Sequence, residues 1–204
     1  MTTGKSINDP RRSLSARQAP IDPWAGSREY VEAAGPSRVG DRPEFTVREV
    51  MTRNACSCRP DDRLSAAALA MCEGDCRFLP VVDRMGHPIA VITDGDICLL
   101  GSTDRRSLRE MLVGEAMSSL PATCRADDDL LGAIRTMRNR HIRHLPVVNA
   151  EGLLEGVVSL TDLVLCAEEK DSSRLRQEVA TTLRSIVQKN GNERVIRHNP
   201  FVED

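Results

Sequence analysis

Residue n can be aligned with residue n+66 across the middle of this 204-residue chain without a gap. Met51 aligns with Met117, Cys58-Arg59 with Cys124-Arg125, Asp61-Asp62 with Asp127-Asp128, and Leu64 with Leu130. The same offset relates Ala67 to Ala133, Met71 to Met137, Arg77 to Arg143, Gly86 to Gly152, Val91 to Val157 and Asp96 to Asp162. Leu79-Pro80-Val81-Val82 recurs as Leu145-Pro146-Val147-Val148. A duplicated unit of about 50 to 60 residues is too small to bury much core alone, so the copies are expected to share one.

Each copy reads as the same succession of elements. A short strand (Ala55 to Cys58; Ala122 to Cys124) leads through a polar turn into a helix. That helix keeps apolar residues at helical spacing, Leu64, Ala67, Ala68 and Met71 in copy one and Leu130, Ala133, Ile134 and Met137 in copy two. Two strands follow, Phe78 to Val82 and Ile89 to Ile92, then Leu145 to Val148 and Gly156 to Val158, separated by turns at Gly86 and Gly152. A second helix begins at Thr93 or Ser159. The expected class is α/β (α+β): two β-α-β-β-α repeats over 47–112 and 113–167.

The flanks differ from this body. Residues 1–46 are rich in Pro, Gly, Ser and Arg with no apolar period, and are expected to form a disordered N-terminal arm. Arg11-Arg12-Ser13 within it has the form of a basophilic kinase site. In 168–204, Leu175, Val179, Leu183 and Ile186 mark one amphipathic C-terminal helix with a stop at Asn190-Gly191. Its apolar stripe must be covered either by the body or by a twin.

Composition removes several function classes. With 28 Lys+Arg against 30 Asp+Glu, the chain lacks the basic excess of a phosphate-backbone reader, so no nucleic-acid partner is expected. Four of the five aromatics, Trp24, Tyr30, Phe45 and Phe201, lie outside the duplicated body, which leaves Phe78. No apolar run approaches a membrane span and no secretion signal is apparent, so a cytoplasmic protein without a membrane partner is expected. Seven cysteines, an odd number, fit a reducing compartment better than a disulfide scaffold.

Thr93-x-x-Asp96 and Ser159-x-x-Asp162 match a capping box, in which a hydroxyl and an acid satisfy the first amides of a helix. A helix N-terminus also attracts phosphate, and a nearby carboxylate can accept both hydroxyl hydrogens of a ribose. The chain resembles tandem cystathionine-beta-synthase (CBS) domains, the paired Bateman module. Val50-Met51-Thr52 and Ala116-Met117-Ser118, the two Leu-Pro-Val-Val runs, Ile92-Thr93-Asp94-Gly95-Asp96-Ile97 and Val158-Ser159-Leu160-Thr161-Asp162-Leu163 carry that resemblance over residues 45 to about 167.

The resemblance implies two copies packed with pseudo-two-fold symmetry and an adenine nucleotide (AMP, ADP or ATP) in clefts between them, with S-adenosylmethionine or NAD as alternatives. Thr93, Asp96, Ser159 and Asp162 would hold ribose and phosphate. Basic residues ahead of Leu-Pro-Val-Val would meet the phosphate: Arg77 in copy one, and Arg140, Arg143 and His144 within the cluster Arg138 to His144 in copy two. First-strand residues Ser57 and Thr123 would line the nucleobase pocket. The glycine usual before the last strand is kept as Gly156 but replaced by Ala90 in copy one.

No catalytic residues are expected, because His141 and His144 have no nucleophile or orienting acid beside them and no P-loop occurs. No metal site is expected either: C-x-x-C is absent, and Cys56-x-Cys58 and the Cys72/Cys76 pair stand away from histidine. The resulting expectation is a non-catalytic regulatory module that senses an adenosyl ligand, forms a homodimer and signals to an unidentified protein target. A ligand-free interaction scaffold and a cysteine-based metal or redox sensor are the alternatives.

Overall fold

A computed structural model describes residues 31–32, 43–119 and 121–194. Strand β1 (Val31–Glu32) precedes a 3-10 turn at Val47–Glu49 and β2 (Thr52–Arg53). Copy one then supplies α1 (Leu64–Glu73), β3 (Phe78–Val82), β4 (Pro88–Thr93) and α2 (Asp94–Thr103). After α3 (Val113–Ala116) and β5 (Ser118–Ser119), copy two supplies β6 (Ala122–Arg125), α4 (Leu130–Arg140), β7 (His144–Val148), β8 (Leu154–Ser159) and α5 (Leu160–Glu169), and α6 (Ser173–Arg194) closes the described chain.

The duplication is kept in the hydrogen-bond register. Leu79 pairs with Ile92 in the antiparallel β3–β4 hairpin and Leu145 with Val158 in β7–β8, and each ladder is offset at its second valine. Gly86 and Gly152 turn the hairpins with φ of 93° and 81°, a region that only glycine enters without strain. Leu64, Ala67 and Met71 are buried on α1, and Leu130, Ala133, Ile134 and Met137 on α4, as their spacing predicts.

The two cores do not follow the sequence boundary. Val47 and Met51, from the start of copy one, are buried in the core of copy two, and β2 pairs with β8. In return Val113, from the start of copy two, is buried in the core of copy one beside Met111, which immediately precedes the boundary, and β5 pairs with β4. Arg48 fastens the exchanged segment, reaching Asp127 at 3.0 Å and Glu155 at 2.7 Å. The sheets therefore run β1-β6-β7-β8-β2 and β3-β4-β5. Each copy is completed by the other's leading segment.

Several expectations change here. Ala55 to Cys58 forms no strand; it makes one parallel bridge, Cys58 to Val81. Its counterpart β6 pairs through Ala122 and Thr123 with β1 and through Cys124 and Arg125 with β7, and so is a strand. β1 itself lies in the segment expected to be disordered up to residue 46; an open strand edge such as that of β6 offers unpaired backbone groups to any extended segment within reach. Residues 1–30 and 33–42, with Arg11-Arg12-Ser13, and the tail from residue 195 lie outside the described residues.

The α6 stripe is Leu175, Val179, Thr182 and Ile186, all buried, and Leu183 is exposed. α6 packs on α4 and α5 of its own chain, and Arg138 donates to Glu178 at 2.7 Å across that contact. The helix runs through Asn190 and Gly191 to Arg194. A glycine costs roughly 1 kcal/mol in a helix interior, which is less than burying any one of Leu175, Val179 or Ile186 returns at about 1.5–3 kcal/mol. Among the described residues, no helix is long and apolar enough to cross a membrane.

Candidate functional site

Both hydroxyl-x-x-acid elements form complete capping boxes. The Ser159 hydroxyl donates to Asp162 Oδ2 at 2.7 Å and accepts from the Asp162 N–H at 3.2 Å, while the Ser159 N–H donates to the same Oδ2 at 2.8 Å. Thr93 and Asp96 repeat this at 2.7, 3.3 and 2.9 Å. In each case Oδ2 does the capping, and Oδ1 has no hydrogen bond among the described residues. The helix starts are satisfied and still present one carboxylate oxygen outward.

What separates the copies is their surroundings. Ser159 and Asp162 open onto a cleft of about 810 Å³, within the range of small-molecule sites. Arg143 and His144 line it from the same copy, and Val157 and Val164 give it apolar wall. Across it stand Thr52, Asn54, Ala55 and Cys56 from the exchanged segment, and Arg77 and Phe78 from copy one. Leu183 of α6 reaches the rim. Two further clefts, of about 370 Å³ beside Arg59 and about 620 Å³ beside Arg125, occupy repeat-equivalent places and include neither capping box.

Of the residues expected to bind ligand, Arg77, Arg143, His144, Ser159 and Asp162 share this cleft, which draws Arg77 away from the copy to which its sequence position assigns it. Thr93 and Asp96 do not line it. Arg140 stands exposed at the end of α4, also outside the cleft, and Arg138 is committed to Glu178. Ser57 is exposed but does not line the cleft, which takes Asn54, Ala55 and Cys56 from this irregular segment. Thr123 is only 2% exposed, buried within β6 between β1 and β7. The wall residues Thr52, Asn54 and Ala55 escape a reading of single motifs, since only the exchange carries them to Asp162.

Gly156 explains how close that exchanged segment comes. A β-carbon on it would stand 2.4 Å from the Thr52 carbonyl oxygen, so only glycine lets β2 lie flat on β8. At the equivalent place in copy one Ala90 is fully buried and pairs with Ser119.

Phe78 and His144, equivalent by the 66-residue offset, stack with ring centroids 4.7 Å apart and planes 15° from parallel. Burial holds the His144 imidazole below the ordinary histidine value; Asp162 pushes it up and Arg143 pushes it down again. His144 is therefore a neutral stacking partner at pH 7, and the cationic charge of the cleft comes from Arg77 and Arg143. Arg77 also reaches Asp94 at 3.2 Å, but its side chain is 85% exposed, so that contact holds it weakly.

The cysteines divide by burial. Burial pushes the Cys58 thiol up to about 12 and the Cys124 thiol further, which removes both from thiolate chemistry at neutral pH. Among the described residues, no group of three or more His, Cys, Asp or Glu side chains is placed to hold a metal.

The CBS domain family profile matches residues 47–101 and 113–169. The chain belongs to the CBS domain family. Its CBS pair is 26% identical over 119 residues to uncharacterized protein MK0525 of Methanopyrus kandleri, covering 58% of this chain and 61% of that one. It is 25% identical over 118 residues to the homoserine O-acetyltransferase of Methanococcoides burtonii, covering 58% of this chain and 23% of the enzyme. This chain thus spans less than two thirds of either relative, and the matched part is the CBS pair alone. The structure of CBSX2, a CBS-pair protein of Arabidopsis thaliana, in complex with AMP aligns with a TM-score of 0.54 at 26% identity, covering 63% of this chain and 99% of that one.

Proposed function

We propose that this CBS pair is a non-catalytic sensor of an adenine nucleotide, bound in the single cleft at Ser159 and Asp162. The observation that carries this reading is the convergence there of a carboxylate oxygen left open by its capping box, two exposed guanidinium groups and an apolar wall. The ribose hydroxyls donate to Asp162 Oδ1. The phosphate lies between Arg77, Arg143 and the start of α5, where helix amides and guanidinium forks both favour an anion. The base sits between the Asn54 to Cys56 segment and Val157 and Val164, held by backbone and aliphatic contacts. AMP, ADP and ATP are the ligands favoured; S-adenosylmethionine and NAD share the adenosyl part.

On this reading the nucleotide is bound and sensed, and the module regulates without turning it over. Leu183 places α6 against the occupied cleft, and through it binding reaches a face that a protein target can sense. Exposed Leu69 and Leu99 on α1 and α2 give the copy-one helices an apolar face for homodimerisation, in a cytoplasmic setting.

Calorimetry with AMP, ATP and S-adenosylmethionine tests the reading. Asp162→Ala removes charge-assisted hydrogen bonds worth about 1.5–3 kcal/mol, so affinity is expected to fall roughly 10- to 100-fold, and Asp96→Ala is expected to leave it nearly unchanged. Absence of heat and of thermal shift at millimolar ligand sinks the sensor and leaves a ligand-free scaffold.

A further inference from the structure

Cys56 and Cys76, twenty residues apart in sequence, are brought together at one end of the cleft. A β-carbon on Gly74 would stand 3.5 Å from the Cys76 Sγ and 3.6 Å from the Cys56 Sγ. Both thiols therefore border the same space, the one that a methyl group on Gly74 would fill. Cys56 is exposed and Cys76 half-buried, whereas Cys58, Cys124 and Cys166 are buried. Both thiols sit in irregular backbone beside residues of positive φ, Asn54 at 51° and Asp75 at 46°, outside the helix and sheet ladders that would resist a small approach.

We propose that Cys56 and Cys76 form a reversible disulfide that cross-links the exchanged segment to the α1–β3 turn. The oxidant is a small disulfide such as oxidised glutathione. The Cys56 thiolate attacks one glutathione sulfur, breaking its S–S bond and releasing one glutathione thiolate, which takes up the proton that Cys56 lost. The Cys76 thiolate then attacks the Cys56 sulfur of the mixed disulfide and expels the second glutathione, which takes up the proton from Cys76. Two cysteine thiols lose two electrons in all, and one glutathione disulfide becomes two thiols. Cys56 belongs to the segment against which the base of the nucleotide is proposed to lie, so, resting on that reading, bound nucleotide slows the cross-link.

The test uses the full chain, reduced and then exposed to oxidised glutathione, with alkylation and peptide mapping of the cysteines. The expected result is a Cys56–Cys76 cross-linked peptide that thiol reductant reverses. It is expected to persist in a Cys72→Ser, Cys98→Ser double variant and to disappear in Cys56→Ser and, separately, in Cys76→Ala. Glutathione retained on Cys56 without closure, or cross-links made only through Cys72 or Cys98, overturns the proposal. One millimolar AMP is expected to slow the cross-link at least about fivefold, by occupying the cleft. If calorimetry shows no nucleotide bound to the reduced protein, the sensor reading fails on its own, and the mapped peptide still decides the cross-link.

Discussion

Replacing Gly156 with alanine tests whether the exchanged segment builds the cleft. The added β-carbon would stand 2.4 Å from the Thr52 carbonyl oxygen, 3.3 Å from its carbon and 3.4 Å from Arg53 Cα. Carbon–oxygen contacts close at about 3.3 Å, so β2 must retreat by roughly 0.9 Å. β2 itself is held by two ladder positions, Thr52 to Val157 and Arg53 to Gly156, and a 3.3 Å hydrogen bond from the Asn54 N–H to Glu155, while Arg48 and buried Val47 and Met51 anchor the residues just before it, so the push is absorbed as strain. Overpacking of this kind costs about 1–3 kcal/mol, and for a chain of this size each kcal/mol moves Tm by about 2–4 °C, so a fall of roughly 2–12 °C is expected by circular dichroism. Thr52, Asn54, Ala55 and Cys56 ride on the same segment, so nucleotide affinity falls with Tm. A variant that melts within about 1 °C of wild type and binds nucleotide unchanged would show that the close approach is irrelevant to both the fold and the wall.

Two further predictions concern stability. His144 has a folded value below the ordinary 6.5, chiefly through burial, so the unfolded chain takes up its proton first on acidification; stability from this group is full above that value and is lost as pH falls below it. His144→Phe is expected to keep the stack on Phe78 and to flatten the decline of Tm between pH 7 and 5; an equally steep decline in the variant would remove His144 as its source. Thr182 is fully buried in α6 and its hydroxyl has no partner among the described residues, so Thr182→Val is expected to stabilise by about 1 kcal/mol, a rise of 2–4 °C, and a lower Tm would refute that expectation.

Legibility followed the range of the forces involved. The hairpins, the helical spacing on α1 and α4 and both capping boxes are local, set by residues within a few positions of one another, and all are visible in the sequence. The α6 stripe was visible except at one turn, where Thr182 and not Leu183 is buried, because a helix packed across two others is oriented by their surfaces as well as by its own period. Ser57 and Thr123 were placed by resemblance on the strand that lines a base pocket. The structure gives the wall to Thr52, Asn54 and Ala55, and Thr123 is shut in by β1.

The residues alone specify a βαββα unit present twice, a hydroxyl and an acid at the start of each copy's second helix, and a difference between the copies ahead of their Leu-Pro-Val-Val runs. Tertiary structure decided which copy's leading segment completes which core, and that exchange is what gathers Arg77, Asn54 and Cys56 around Asp162. It also decided that Phe78 and His144, equivalent in sequence, meet ring on ring, and that α6 is covered by its own chain. The physical reason is that two similar modules, each too small to close its core alone, can bury their apolar leading residues Val47, Met51 and Val113 against either partner, and only the packed pair fixes the choice.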